Sequence, residues 1–267
     1  MRIEQSALFS VHALQNTKRT QTRLFERLAS GRQVNRAVDN SAVLSLSQKF
    51  EAAVRSMDQG ARNLSDGISV AQIAEGALNE SSNLLGRMRE LAVQAQNGTL
   101  SGEQRAALQQ EYDALASEIS RIAESTEFNG RQLLNGDLSS EPVSFEDGAA
   151  GNVESTELRV DDQSAASLGV EGLDLSDPAA LDALDAAITS VASTRSSIGI
   201  TAGRLTSEIT SLLNNIENTQ AANSRMVDTD YANELSQLTN NQIREQFQIA
   251  VAGQANLVST SVLQLLK

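Results

Sequence analysis

From Leu181 to Met226, side chains of one line recur at alternating spacings of three and four. Leu184, Ile188, Val191, Ile198, Ala202, Leu205, Ile209, Leu212 and Ile216 form its apolar body, and Arg195, Thr219 and Asn223 are its polar members. That is the period of a helix burying a narrow seam against a partner. A second line keeps strict seven-residue spacing through Phe50, Met57, Leu64, Ala71, Leu78, Leu85 and Ala92. At 1.5 Å per residue, each seam spans on the order of 65 Å. Helices of that length leave little room for an enclosed pocket. They point to a coiled-coil rod that holds or builds something.

The composition suits such a rod. Only 3% of the 267 residues are aromatic and none is Trp, so a large globular core is not expected. Two prolines leave the helices nearly unbroken. With no cysteine there is no disulfide and no thiolate metal site. His12 is the sole histidine, so neither a catalytic triad nor a His/Cys metal cluster can be assembled. His12 reads as a helix-surface or subunit-contact residue. Asp228-Thr229-Asp230 lacks the further ligands of a calcium loop and reads as a helix N-cap. The expectation is a non-enzymatic protein without cofactor or metal. No apolar run reaches the length of about 18 residues that spans a bilayer. Met1-Arg2-Ile3-Glu4-Gln5 opens no cleavable secretory signal, which by itself predicts a cytoplasmic chain.

Charge is unevenly distributed. Residues 1–60 carry a net +4, residues 61–135 a net −4, residues 136–190 a net −12, and residues 191–267 a net −1. The acidic stretch reads as a solvated, self-repelling tip, with Asp161, Asp162 and Asp174 as exposed charges. The basic N-terminal arginines lack the interleaved aromatics of a nucleic-acid surface, so no nucleic-acid partner is expected.

The pattern predicts a mainly α protein. A first helix spans 3–30, with a weak seam through Leu14, Thr17, Gln21, Leu24 and Leu28, and ends at Ser30-Gly31. A connector covers 32–42. A long helix then runs from about 43 to 97, stopping at Asn97-Gly98. A third helix, about 103–127, carries Leu108, Tyr112, Leu115, Ile119 and Ile122 and ends at the turn signal Asn129-Gly130. Residues 131–175 are loop-rich, with Pro142–Phe145 and Glu157–Asp161 as the best hairpin strands. Asp177-Pro178 then opens the fourth helix.

The last helix, about 229–266, is apolar on every side: Leu235, Leu238, Phe247, Val251, Leu257, Val258, Val262 and Leu265 face all directions around its axis. Such a helix must be enclosed. The glutamines along it argue against a membrane, so neighbouring subunits are the expected cover.

Several motifs then fall in one order. Glu26-Arg27-Leu28-Ala29-Ser30-Gly31 is followed by Asn35-Arg36-Ala37-Val38-Asp39, by Asn63-Leu64-Ser65-Asp66-Gly67-Ile68-Ser69-Val70-Ala71-Gln72, and by Glu75-Gly76-Ala77-Leu78. Arg89-Glu90-Leu91-Ala92-Val93-Gln94 and Phe128-Asn129-Gly130 come next, and Asp228-Thr229-Asp230-Tyr231-Ala232 and Val262-Leu263-Gln264-Leu265-Leu266 lie near the end. Over 1–135 and 176–267 the chain resembles bacterial flagellin. Two places depart from that family's pattern. Met1-Arg2-Ile3-Glu4-Gln5-Ser6 lacks its usual Ile-Asn-Thr-Asn start, and Asp39-Asn40-Ser41-Ala42-Val43 has Asn and Val where Asp and Gly are common.

The resemblance implies a protomer that polymerises into the flagellar filament for swimming motility. In that plan 1–42 with 229–267 form paired inner helices, 43–135 with 176–228 form the helical rod domain, and 136–175 is a short acidic, hairpin-containing tip. It also reverses the localisation: the chain would be extracellular, exported unfolded by the flagellar type III apparatus without a cleaved signal. Implied partners are copies of itself, an export chaperone, the filament cap and the hook–filament junction proteins. The alternatives are a hook–filament junction protein with similar terminal helices, or a cytoplasmic coiled-coil adaptor, which leaves the apolar C-terminus unexplained. Arg87, Glu90 and Leu91 flank the Leu85/Met88/Ala92 seam and are expected to face outward, making with Leu84 and Val93 a subunit contact. Arg87, Leu91 and Glu111 also resemble the family's pattern for recognition by the vertebrate Toll-like receptor for flagellin, with Gly86 in place of a Gln.

Overall fold

A computed structural model describes residues 2–148 and 155–265, except for the side chains at 2–8, 10, 255, 256 and 258–265. The elements are α1 (Arg2–Ser30), α2 (Ala37–Ala95), α3 (Gly102–Ser125), β1 (Glu127–Phe128), β2 (Arg131–Gln132), α4 (Asp137–Ser140), β3 (Val143–Glu146), β4 (Ser155–Leu158), α5 (Ala179–Val227) and α6 (Tyr231–Leu265). They divide into two compact units, Met1–Ala52 with Asn218–Lys267, and Ala53–Glu217. The expected mainly α fold with small hairpins is what forms.

The central unit has a continuous core. Met57, Leu64, Ala71, Leu78, Leu85 and Ala92 of α2 are buried, as are Leu184, Val191, Ile198, Leu205, Leu212 and Ile216 of α5. Both seams therefore close on each other's cluster, with Tyr112, Ala116, Ile119 and Ala123 of α3 completing it. Leu, Ala and Ile supply most of the volume, so the core is extensive despite the scarcity of rings. Arg89 Nε donates to Asp185 Oδ1 at 2.6 Å, tying α2 to α5, and Arg87 Nη2 donates to Glu111 Oε1 at 2.9 Å, tying α2 to α3.

Local chemistry sets the element ends. Ser101 and Gln104 form a reciprocal capping box at the start of α3. Asp177 Oδ1 accepts from Ala179 N at 2.9 Å, with Pro178 at the first turn, as expected for the start of α5. The long helix begins earlier than expected, at Ala37, but Asn40 breaks it with extended backbone, φ −164° and ψ 101°. Asn40 Oδ1 accepts from Val43 N at 3.1 Å and so caps a fresh helix start. Asn129 and Gly130 both take positive φ, 51° and 78°, and close the β1–β2 hairpin with register Phe128↔Arg131. That is the two-residue turn an Asn-Gly pair favours.

Residues 136–175 are less solvated than their charge implied. β3 and β4 pair antiparallel with Phe145 opposite Thr156 and Val143 opposite Leu158. Phe145, Thr156 and Leu158 face inward while Ser144, Glu146, Ser155 and Glu157 face water. Leu138, Val160, Ala165, Val170 and Leu175 join the same core. The following segment is laced along α3: Tyr112 Oη donates to Val170 O at 2.7 Å, and Gln109 Oε1 accepts from Leu175 N at 3.0 Å. Asp161 and Asp174 are exposed as expected, whereas Asp162 is half-buried, its side chain turned to the Ser164 backbone. Asp162 and Asp174 each accept a backbone N–H two residues on, so they also pin turns.

The docked hairpin requires bare backbone on α2. A Cβ at Gly60 would meet Asp147 O at 1.7 Å, and one at Gly67 would meet the Phe145 ring at 3.0 Å.

In the terminal unit α1 and α6 pack against each other. Thr17 Oγ1 donates to Gln248 Oε1 at 3.1 Å and Arg27 Nη1 donates to Glu234 Oε1 at 3.2 Å, so the two helices run antiparallel. Gly31 ends α1 at φ 70°, its N–H returning to Arg27 O at 2.8 Å.

Candidate assembly surfaces

The start of α6 is set by Asp230, whose Oδ1 accepts from Ala232 N at 3.0 Å and Asn233 N at 3.2 Å. The capping role expected of this motif therefore belongs to its last residue. From there the less exposed positions run Glu234, Leu238, Asn241, Glu245, Gln248 and Ala252, at spacings of four and three. This face turns to α1 and is mostly polar. The large apolar side chains point away: Phe247 is 70% exposed, Leu235 58% and Val251 46%, with Ile243, Ile249 and Leu257 similar. On α1, Phe9, Val11 and Phe25 are exposed too. Apart from Leu24, Val34, Val227 and Leu238, no large hydrophobic of this unit is buried among the described residues.

Of the residues expected to pack between subunits, Leu235, Phe247, Val251 and Leu257 are thus exposed within one chain. Leu238 is not. At 6% exposure it is buried by its own chain, because it falls on the seam facing α1. The side chains of Val258, Val262 and Leu265 lie outside those described. Sequence reasoning did not single out Phe9, Val11 and Phe25. Their signal was available, since they sit off the phase of the Leu14, Leu24 and Leu28 seam.

The second candidate surface lies on the central unit. Arg87, Glu90 and Glu111 are exposed and form one cluster: Arg87 Nη1 donates to Glu90 Oε2 at 3.0 Å, and its Nε and Nη2 both donate to Glu111 Oε1. The bonds to Glu111 first, then to Glu90, raise the guanidinium pKa further. Leu91 does not belong to this surface. It is 1% exposed and part of the core, contrary to the outward placement expected from the seam. The reason is the third helix. A helix packed against two partners buries a wider face than a two-stranded seam, and Met88, Leu91, Ala92 and Ala95 are all covered. Leu84 is half-buried against the same cluster, which leaves Val93 as the exposed member of the expected apolar strip.

Among the described residues, no group of three or more His, Cys, Asp or Glu side chains could hold a metal ion. No described helix is long and apolar enough to cross a membrane.

Comparison with known proteins shows the family. Residues 4–138 match the family model of the bacterial flagellin N-terminal helical region, and residues 181–266 match that of the C-terminal helical region. A flagellin from Halalkalibacterium halodurans is 40% identical over 91% of this chain and 90% of its own. A flagellar filament 33 kDa core protein from Treponema phagedenis is 35% identical over 98% of both. The crystal structure of Bacillus cereus flagellin, 30% identical, covers 57% of this chain and 88% of that one with a TM-score of 0.50. With both terminal regions matched and relatives this similar over nearly their whole length, the chain belongs to the bacterial flagellin family of structural, non-enzymatic filament proteins.

Proposed function

We propose that this chain polymerises with copies of itself into the extracellular bacterial flagellar filament, and that the outward faces of α1 and α6 form its innermost contacts. One observation carries the placement of those contacts: α6 presents Leu235, Ile243, Phe247, Ile249, Val251 and Leu257 to solvent while its polar face packs inward. Fully burying such a side chain is worth roughly 1.5–3 kcal/mol. Ordering the helices costs about 1–2 kcal/mol per residue, so cover by neighbours decides whether they are stable. The family matches are to flagellin itself, and the junction-protein alternative gains no support from them.

Arg87, Glu90 and Glu111 are proposed to meet a neighbouring subunit on the central unit. The same three, without Leu91, are the residues left exposed for a vertebrate Toll-like receptor. Export as an unfolded chain, with a chaperone, the filament cap and the junction proteins as partners, accords with the absence of cysteine and the sparse core of the terminal unit.

Seeded elongation tests the central proposal. Phe247→Asp and Leu235→Asp should leave the thermal melting of the free subunit within about 0.5 kcal/mol of wild type, because both sites are exposed. Neither should add to filament seeds, since a carboxylate would be buried without a partner. Normal elongation by both variants would remove α6 from the subunit contact.

A further inference from the structure

We infer that Arg27 and Glu234 are positioning residues that fix the register of α1 on α6, and with it the combined apolar surface that a subunit offers to its neighbours. The inference rests on the self-assembly reading and adds the determinant of its specificity.

The seam between the two helices holds little that would choose a register by apolar burial. On α6 its members are Glu234, Leu238, Asn241, Glu245, Gln248 and Ala252, and on α1 they include Leu14, Thr17, Gln21, Leu24 and Leu28. Leu and Ala layers pack about as well one heptad along, whereas a polar group at a seam position specifies one alignment. Glu234 is the most buried of the charged groups here. Its side chain is 7% exposed against 28% for Arg27. Its Oε1 accepts from Arg27 Nη1 at 3.2 Å and from Thr229 Oγ1 at 3.4 Å. A shift by one heptad would part the carboxylate from the guanidinium while leaving it enclosed, and an uncompensated buried charge is strongly disfavoured.

The root of the helix pair acts in the same direction. Thr229 N donates to Gly31 O at 3.0 Å and Gln33 N donates to Val227 O at 2.6 Å, so the two connectors are bonded to each other. Tyr231, the first residue of α6, packs so closely on the end of α1 that a Cβ at Gly31 would lie 2.9 Å from its Oη. At the far end Thr17 meets Gln248. Directional bonds therefore align the pair, and its hydrophobic groups are left for other chains. A buried ion pair adds little net stability compared with an apolar pair, so its effect here is on alignment.

The test uses the full chain, which has no cysteine. Thr17→Cys with Gln248→Cys reports register through the yield of a short bis-maleimide cross-link in the subunit, and seeded elongation reports assembly. Glu234→Gln and Arg27→Gln should each lower the cross-link yield and raise the critical concentration at least about tenfold, the scale of a broken buried pair. Arg27→Glu combined with Glu234→Arg should bring both readouts back to within about threefold of wild type, as charge pairing requires. Arg27→Met combined with Glu234→Leu separates alignment from stability. It should retain the helical circular dichroism of wild type yet show the low cross-link yield and poor elongation of the single variants. Wild-type cross-linking and elongation in that apolar double variant, or no recovery in the charge swap, would overturn the inference. Phe247→Asp, carried in parallel, isolates the underlying reading: its normal elongation defeats the proposed contact face whatever the register variants do.

Discussion

Leu91 shows how much one residue's role depends on the number of helices packed around it. In a two-stranded seam its position flanks the interface. Here it belongs to the buried cluster that α2, α3 and α5 share, and Leu91→Asp would place a carboxylate in a closed core. That substitution should destabilise the subunit by more than about 3 kcal/mol, read as a large fall in melting temperature. Arg87→Glu lies on the surface beside it and should leave melting within about 0.5 kcal/mol of wild type. If the charged cluster is a subunit contact, Arg87→Glu should still slow seeded growth; unchanged growth would exclude the cluster. Tyr112 makes a third residue-scale test. Its buried hydroxyl donates to Val170 O, and burial pushes its pKa up to about 12. The unfolded phenol ionises near 10, so the folded state holds its proton longer as pH rises. Its contribution is complete below pH 10 and is lost progressively toward pH 12. Tyr112→Phe should cost about 1 kcal/mol at neutral pH and flatten that alkaline loss of stability, followed by denaturant melts across the range. Equal alkaline slopes in the two proteins would place the sensitivity elsewhere.

At the scale of elements, α2 has glycines with opposite consequences. Gly60 lies under the β3–β4 hairpin, where an added methyl would collide with Asp147 O. Gly76 is exposed on the same helix with nothing within 4 Å of its would-be Cβ. Gly60→Ala should therefore destabilise the central unit by about 1–3 kcal/mol through forced displacement of the hairpin. Gly76→Ala should stabilise it by roughly 0.5–1 kcal/mol, because alanine loses less freedom on entering a helix. Urea melts of the two single variants decide the matter, and a shift of the same sign in both would contradict the proposed packing. The contrast also marks what a sequence can reveal. Heptads at Phe50–Ala92 and Leu181–Met226 declare their helices because the period is local and long. Asn129-Gly130 and Asp177-Pro178 declare their ends because turn and cap chemistry is local too. Nothing local says that Gly60 faces a hairpin nearly ninety residues on, or that the acidic segment 136–175 contributes Leu138, Phe145 and Leu158 to the core. The exposed apolar face of α6 was legible in the excess of apolar residues over any single stripe. The Arg27–Glu234 pair was not, since it joins positions 207 residues apart.

Charge sets the scale of the whole molecule. The net −13 divides into +3 for residues 1–52 with 218–267 and −16 for residues 53–217. Copies packed side by side in a filament therefore bring strongly like-charged central units together, while the terminal segments that would form the innermost contacts carry little net charge. Repulsion of this kind acts over the Debye length, about 30 Å at 0.01 M ionic strength and about 8 Å at 0.15 M. Screening should lower the repulsion between central units far more than it weakens apolar contact of α1 and α6, which does not depend on charge. Seeded elongation should consequently accelerate as sodium chloride rises across that interval, then level off once the Debye length falls below the separation between neighbouring surfaces. Replacing exposed Glu171, Asp174 and Asp177 by their amides should raise the low-salt rate and reduce the salt dependence, because three of the repelling charges are gone. Magnesium chloride at matched ionic strength should act as sodium chloride does if screening alone is responsible. An elongation rate that falls steadily with added salt would mean instead that attraction between opposite charges on neighbouring subunits, and not burial of the terminal helices, drives addition.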